Sequence, residues 1–260
     1  MMTHMTDSAR STPAELVHLE VAGPLATITL DSPHNRNALS KQLVTELVGH
    51  VTTAGADDEV KVVLIRSSGR VFCSGADLSE ASTGGMAEGA RAIVALQRQL
   101  LTLDKPVVTE LAGPVRAGGI GIVAASDIAI ASTEASFALT EVKLGLAAAI
   151  ISLTVHQRMN PRAAALTTLG GEVFTGEQAA AYGLVTAAVP ADQLADEVRK
   201  VCESLATGAA QGLRESKRIL NRDLVARIDE RGEELAALSA TLFASDEARA
   251  AMTAFLTRAK

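Results

Sequence analysis

The sequence predicts an α/β fold in which a mostly parallel sheet is followed by an all-helical C-terminal region. Two patterns carry this prediction. Short, continuously apolar runs alternate with helical patterns over most of the chain, as in parallel β-α-β units. Beyond Ala191, apolar residues recur at helical spacing. A chain of 260 residues can form one such core with an appendage, because single cores stop growing at roughly 250 to 300 residues.

The first predicted strand covers residues 25–30, where apolar and Thr residues alternate and give the strand one apolar face. A helix follows the next turn, because Ser40 is a suitable N-cap for it. Apolar residues then recur at helical spacing: Leu43, Leu47 and Val51.

Three later runs are short and continuously apolar, which is typical of strands buried on both faces: residues 62–65, 106–108 and 128–130. Helical patterns over residues 91–103 and 118–126 separate them. Strands and helices that alternate at this spacing indicate parallel pairing.

A short helix is predicted after Thr175, which forms a capping-box pair with Gln178. Gly183 should end this helix, and residues 184–189 form the last apolar strand. The predicted organisation is therefore a disordered leader over residues 1–14, a core over residues 15–195 and a helical region over residues 196–260. The apolar faces of the helical region should pack on the core or on another subunit.

Composition excludes several functional classes. A formal net charge of −6, five Phe, one Tyr and no Trp give neither a basic surface nor stacking platforms for nucleic acid. The longest apolar stretch, residues 144–155, is shorter than the roughly 20 residues of a membrane span, and residues 1–20 lack a secretion signal. Two distant cysteines, Cys73 and Cys202, favour inert core thiols over a disulfide or a metal site. We expect a cytoplasmic protein.

The first candidate functional segment is residues 71–78, a buried run that ends in a turn of small residues. Gly75 and Ala76 allow a substrate to approach the backbone, where amides can donate hydrogen bonds. An ordinary strand-to-helix turn has the same sequence features, so this segment alone decides nothing.

The second candidate segment is residues 112–122, in which Gly118 and Gly119 open a helix. The first amides of a helix have no internal partner and lie at the positive end of its dipole, which suits an oxyanion. The spacing fits neither a Rossmann fingerprint nor a P-loop. An isolated glycine cluster does not by itself indicate a function.

The third candidate segment is residues 135–145, where Glu141 lies among apolar residues. Burial would raise its pKa toward the range that is useful for proton transfer. A surface carboxylate paired with Lys143 is the competing interpretation.

The three segments, in this order, resemble the crotonase (enoyl-CoA hydratase/isomerase) superfamily over residues 15–258. Further segments carry the resemblance: residues 37–39, 105–106, 126–128, 175–177 and 183–185. The family implies a spiral of ββα units, with C-terminal helices that build trimers or dimers of trimers. It also implies an acyl-CoA thioester partner and no cofactor, since coenzyme A is part of the substrate.

By this resemblance, the thioester carbonyl lies between the amides of Ala76 and Gly118, and Glu141 delivers the proton to the α-carbon. The resemblance also implies a coenzyme A groove formed by the loops at Asn37, Ala38 and Leu39 and at Gly75, Asp77 and Leu78, with Gly119 beside them. Arg36 and Arg258 are candidates for its phosphates, although exposed arginines are commonly only solvated.

One departure from the family pattern bears on the reaction. Two-carboxylate hydratases carry a first Glu at the position of Gly121, and the first glycine of the usual triplet is Ala117 here. This pattern resembles a bacterial branch with a single Glu. We expect hydration of a 2-enoyl-CoA, with two alternatives: 3-enoyl to 2-enoyl isomerisation, which needs one base, and a catalytically weak acyl-CoA binding protein.

Three further residues have competing interpretations. Glu80 either lines the pocket or is solvated in a loop, and Glu110 is either a buried structural carboxylate or a second polar group near the site. His156 is expected at the surface, at the polar end of an apolar helix.

Overall fold

The computed structural model describes residues 14–80 and 85–258, with the side chains of residues 255, 256 and 258 outside the described set. In chain order the strands are β1 Val17–Ala22, β2 Leu25–Leu30, β3 Val62–Ser67, β4 Val107–Leu111, β5 Val115–Arg116, β6 Ile128–Ser132, β7 Ser136–Ala138, β8 Phe174–Thr175 and β9 Ala187–Val189. The helices are α1 Lys41–Ala56, α2 Met86–Thr102, α3 Gly118–Ala125, α4 Ser152–Arg158, α5 Pro161–Gly170, α6 Gly176–Ala181, α7 Leu194–Ala206, α8 Ala210–Phe243 and α9 Asp246–Arg258.

The main sheet has the strand order β1-β2-β3-β4-β6-β9. All its pairs are parallel except β1 with β2, which confirms the predicted parallel pairing. In β3, Val63 and Ile65 face the main core, while Val62 and Leu64 face α7. Because both faces are covered, the strand is apolar at successive positions.

A smaller sheet of three strands has the order β5-β7-β8, and its first two strands are parallel. A parallel bridge between Cys73 and Val115 adds the chain around Cys73 to its edge. This small sheet positions the candidate site.

A polar seam joins α8 to the core, and we define it as the buried residues Lys217 and Asn221 with the partly buried residues Asp127 and Arg158. Lys217 Nζ lies 2.7 Å from Asp127 Oδ2, and Asn221 donates to Asp127 Oδ1 at 2.9 Å. Arg158 donates to Asn221 Oδ1 at 3.2 Å. Each buried charge therefore has an opposite charge or a hydrogen-bond partner, as burial of charge requires.

The structure confirms the two helix caps that the sequence predicted. Ser40 accepts a hydrogen bond from the Leu43 amide, and the capping box of Thr175 and Gln178 forms in full. Of the predicted leader, residues 1–13 lie outside the described residues. The boundary between core and helical region stays a prediction.

Several element predictions differ from the structure, and the short strands β5, β7 and β8 were not predicted. Strand β1 was missed although Val17, Leu19 and Val21 share one face; it is an edge strand, and only Val17 in it is buried. The last strand is shorter than predicted, because residues 184–186 still belong to the turn after α6. Helix α2 begins at Met86 rather than at residue 91. Within the described residues, no helix combines the length and apolarity that a membrane span requires.

Candidate active site

Three short parallel segments bring the predicted site residues together. Val115 is bridged to Cys73 on one side and paired with Phe137 on the other. The loops that follow these segments carry Ala76, Gly118 and Glu141. Because the carboxyl ends of parallel strands meet at one edge of a sheet, the three loops open at the same place.

A cavity of about 500 Å³ opens at these loops, and Ala76, Gly118 and Glu141 all line it. Its walls are mostly apolar and come from α1, α2, α8 and the segment before α4. The wall residues include Val44, Met86, Ala90, Ile93, Ala148, Ile150, Ile151 and Phe243. The size and apolar lining are those of a small-molecule site.

The two amides beside Glu141 are free to donate. Among residues 14–80 and 85–258, neither the Ala76 nor the Gly118 N–H has a hydrogen-bond acceptor. Each follows a residue with positive φ, Gly75 at 98° and Ala117 at 46°. A Cβ on Gly75 would lie 3.0 Å from Ala117 Cβ, so the two turns are in contact. Two adjacent unpaired donors can stabilise an oxyanion.

Glu141 lies in a 3-10 turn, Thr140–Leu144, that follows β7. Its Oε2 is buried and has no hydrogen-bond partner among the described residues. Burial raises the pKa of Glu141 to about 7, with the residue's own backbone N–H opposing that shift. Lys143 forms an ion pair with Glu172 at 2.8 Å instead. The alternative of a surface Glu141–Lys143 pair is therefore wrong.

Gly121 leaves no room for a side chain. A Cβ at this position would lie 2.6 Å from Ile151 Cγ2 and 3.5 Å from Gln97 Cδ. Ile151 and Gln97 are both buried. The space in which a two-carboxylate hydratase would carry its other Glu is filled by these side chains.

Three other carboxylates line the cavity, and each has partners. Asp77 accepts hydrogen bonds from the Ser79 amide and hydroxyl and from Asn35, and these bonds lower its pKa against the effect of burial. Glu80 accepts from the Lys41 backbone amide, and Glu88 forms an ion pair with Lys41 Nζ at 3.0 Å. Glu80 thus lines the pocket, as one of its two interpretations required.

The residues predicted to form the coenzyme A groove do not all line the cavity. Leu39 and Asp77 line the cavity. Asn37 is buried and ties two loops together, since it accepts from the Ser32 amide and donates to the Val71 carbonyl. Gly119 packs against Cys73, which a Cβ would approach to 2.6 Å.

The remaining groove candidates do not line the cavity. Ala38 and Gly75 are buried beside it, Leu78 is half-buried, and Arg36 is exposed. Arg258 ends α9, but its side chain lies outside the described residues.

Glu110 and His156 lie away from the cavity lining. Burial raises the pKa of Glu110, which interacts electrostatically with Arg66 and Cys202 and so faces α7. His156 is half-buried and lies 3.2 Å from the Thr168 hydroxyl, away from the cavity, which agrees with its interpretation as a surface rather than a catalytic histidine. Both cysteines are buried, and burial raises the pKa of Cys73 to about 12 and that of Cys202 to about 11.

Two cavity residues on α8, Ser239 and Phe243, were missed from the sequence. The available signal was a serine on the apolar face of a helix, at helical spacing from buried Gly232 and Leu235.

Comparison with known proteins decides the family. The family model described as Enoyl-CoA hydratase/isomerase matches residues 20–260. The chain belongs to this family. An enoyl-CoA hydratase from Mycobacterium avium is 42% identical with a TM-score of 0.88, covering 95% of this chain and 98% of that chain. The predicted crotonase fold and the enzymatic class are thereby confirmed, and the protein is an acyl-CoA enzyme of the hydratase/isomerase family.

Two further members of the family show its chemical range. An (E)-benzylidenesuccinyl-CoA hydratase from Thauera aromatica is 30% identical, over 80% of this chain and 84% of that protein. A carnitinyl-CoA hydratase from Mycobacterium avium is 27% identical with a TM-score of 0.83, covering 95% of this chain and 97% of that chain.

Proposed function

We propose that the protein hydrates a 2-enoyl-CoA, with Glu141 as the single acid–base group. One observation carries the proposal: within the described part of the chain, Glu141 Oε2 is buried without a partner in a cavity that two unpaired amides also line. A carboxyl group with a pKa of about 7 has both protonation states populated at neutral pH. The relatives described above as hydratases support this choice of reaction.

The amides of Ala76 and Gly118 bind the thioester oxygen in this proposal. Their role is to stabilise the negative charge that develops on that oxygen as the enolate forms. Removal of one such donor costs about 3 to 4 kcal/mol in comparable sites. The loops that carry Leu39 and Asp77 shape the adjoining coenzyme A groove. The reaction uses no cofactor, because coenzyme A belongs to the substrate.

One carboxylate suffices if it acts twice. As the oxygen of water bonds to the β-carbon, a water proton passes to Glu141 and the alkene electrons move through the α-carbon to the thioester oxygen. The carbonyl then re-forms while the α-carbon takes the proton from Glu141. The carboxylate is regenerated, and hydrogen and hydroxyl are added to the same face of the double bond.

Isomerisation of a 3-enoyl-CoA to a 2-enoyl-CoA is the second candidate. The packing of Ile151 against Gly121 favours it, since no second carboxylate stands there to activate water. In this reaction Glu141 removes a proton from the α-carbon and returns it to the γ-carbon of the same dienolate.

Absorbance of the conjugated thioester separates the candidates. Loss of absorbance with crotonyl-CoA is expected for the hydratase, and a gain with a 3-enoyl-CoA is expected for the isomerase. Binding of both thioesters without turnover of either would contradict both reactions and support the acyl-CoA binding protein.

We also propose a homotrimer, or a dimer of trimers. Two exposed apolar groups support an assembly: Leu166, Leu169 and Val173 on and after α5, and Ile219 and Leu220 on α8. Light scattering should give a mass of three or six times 26.9 kDa, and a monomer at micromolar concentration would contradict the proposal. We propose a cytoplasmic location, where the free thiols of Cys73 and Cys202 stay reduced.

A further inference from the structure

The hydroxyl of Ser239 is a polar group in the cavity that the proposed reaction does not use. Ser239 lies on α8, lines the cavity and is only 7% exposed. Among the residues that the structure describes, its hydroxyl makes no hydrogen bond. Among the described residues, its Oγ is not one of the fully buried polar atoms, so water or a ligand in the cavity can reach the hydroxyl and bond to it.

A helix normally satisfies such a hydroxyl by itself, because serine and threonine can donate to the carbonyl four residues earlier. Thr241, two residues further along α8, does this and donates to the Ala237 carbonyl at 2.9 Å. Ser239 makes no such bond to its own helix. Its hydroxyl therefore remains available to a molecule in the cavity.

The position of Ser239 indicates which part of a substrate it meets. The unpaired amides and Glu141 lie on the loops that follow the small sheet, and these groups take the thioester end. Ser239 and Phe243 come from α8, which packs along α2 on the helical side of the cavity. The surrounding lining is apolar, including Met86 and Ile93 of α2. The acyl chain fits this apolar side.

The charge of the lining restricts the group that Ser239 can bind. The described lining residues include four carboxyl groups, Asp77, Glu80, Glu88 and Glu141, and one ammonium group, Lys41. Lys41 is already paired with Glu88. A carboxylate on the acyl chain would be repelled, whereas a neutral oxygen would not.

We propose that Ser239 is a specificity-determining residue that selects acyl-CoA thioesters with a hydroxyl or ketone oxygen on the acyl chain. The proposal rests on the proposed function in that it requires an acyl-CoA in this cavity. It goes beyond that function by naming the class of acyl group. A serine can donate to either oxygen and can accept from a hydroxyl.

Binding of unreactive saturated thioesters tests the proposal without turnover. Isothermal titration calorimetry would compare hexanoyl-CoA with its 4-, 5- and 6-hydroxy derivatives and with 5-carboxypentanoyl-CoA. We expect at least one hydroxy derivative to bind about 3- to 10-fold more tightly than hexanoyl-CoA, the range that one net hydrogen bond gives. The carboxylate derivative should bind more weakly than hexanoyl-CoA.

Two variants assign the preference to this residue. Ser239→Ala should bind hexanoyl-CoA and the preferred hydroxy derivative equally. Thr241→Ala is the matched control, because it removes an exposed hydroxyl of the same helix that is already bonded to its own backbone. It should keep the preference.

The outcomes separate this inference from the proposed function. Equal binding of hexanoyl-CoA and all three hydroxy derivatives overturns the role of Ser239, as does a preference that survives in Ser239→Ala. A preference that Ser239→Ala removes supports the inference, even if no enoyl-CoA is turned over and the proposed hydration fails. Failure to bind any thioester overturns both.

Discussion

Ile151 holds its Cγ2 methyl 2.6 Å from the point where a Cβ on Gly121 would stand. The two residues are 30 positions apart in sequence, yet the Ile151 side chain occupies the space that a side chain at position 121 would need. Any side chain at position 121 must displace a buried isoleucine. The cavity is therefore shaped for one unpaired carboxylate, and the second cannot be added by a single substitution.

This contact predicts that Gly121→Ala destabilises the protein by about 1 to 3 kcal/mol, the usual cost of overpacking a core. Gly121→Ala combined with Ile151→Ala should lose less stability than the sum of the two single changes, because the second change opens the space that the first needs. Chemical denaturation of the four proteins measures this coupling. Gly49→Ala, at an exposed helical position with nothing within 4 Å, is the control and should not destabilise. If the stability loss of the double variant equals the sum of the two single losses, the predicted contact is contradicted.

Glu141→Gln should lower turnover of the preferred enoyl-CoA by at least about a hundredfold, because general acid–base groups contribute roughly 10² to 10⁴-fold. The amide keeps the shape and removes the proton, so the affinity for a saturated acyl-CoA should stay nearly unchanged. Steady-state kinetics and calorimetry measure the two effects. Glu172→Gln is the control, since Glu172 is exposed and pairs with Lys143. Wild-type turnover in Glu141→Gln would make Glu80 the first residue to test as the proton source.

The raised pKa of Glu141 also predicts a pH-dependent stability difference. The Glu141 pKa is 4.5 in the unfolded chain and about 7 in the folded protein. Between pH 4.5 and about pH 7, folded Glu141 keeps a proton that the unfolded chain loses, so the free energy of unfolding falls as pH rises. Below 4.5 the effect is absent, and above 7 the loss is complete, on the order of 3 kcal/mol at 1.36 kcal/mol per pKa unit. Glu141→Gln should therefore melt higher than the wild type at pH 8 and similarly at pH 4. If the melting temperatures of the variant and the wild type differ equally at pH 4 and pH 8, the Glu141 pKa is not raised.

Gly118→Pro should lower turnover by about 10² to 10³-fold, because it removes one of the two amide donors. Gly118→Ala is the matched control, since it introduces the same contact with Leu39, 2.7 Å from a Cβ, and keeps the N–H. Both changes are made together with Ala117→Gly, because proline restricts the residue before it. Circular dichroism checks the fold. Equal turnover of the two variants would exclude Gly118 as a donor.

Ala117→Gly should raise the free energy of unfolding by about 1 kcal/mol. Ala117 has φ 46° and ψ −120°, a conformation that glycine adopts without the strain that a Cβ causes. Thermal unfolding at fixed protein concentration measures the effect. Ala125→Gly, at the end of α3 with ordinary helical geometry, is the control and should destabilise instead. A loss of stability in Ala117→Gly would show that the backbone of Ala117 is not strained.

Local features were predicted well from the sequence because few residues determine them. The N-cap at Ser40 and the capping box at Thr175 involve partners three residues away, so the pattern contains the whole interaction. Strands β3, β4 and β6 were also predicted, because burial on both faces leaves a continuous apolar run. Edge strand β1 lacks that signal, since five of its six residues are not buried.

The candidate site was predicted in part. The segments around Ala76, Gly118 and Glu141 were identified, but their features alone did not decide between functional and structural interpretations. The partner of Lys143 is 29 residues away in sequence, and contacts at such a separation decide whether Glu141 is free. Ser239 was missed for the same reason, because a serine among helical residues gives no indication of the cavity that it faces.

The polar seam has a consequence for synthesis of the chain. Asp127 precedes Asn221 by 94 residues, so for on the order of ten seconds of translation its carboxylate has the Val107 amide but lacks Lys217 and Asn221. We expect the nascent core to stay loosely packed during that interval, because a partly buried carboxylate without its cationic partner opposes compaction. The apolar face of α2 is then open to chaperones that recognise such surfaces. Release from them should follow the emergence of α8 from the ribosome.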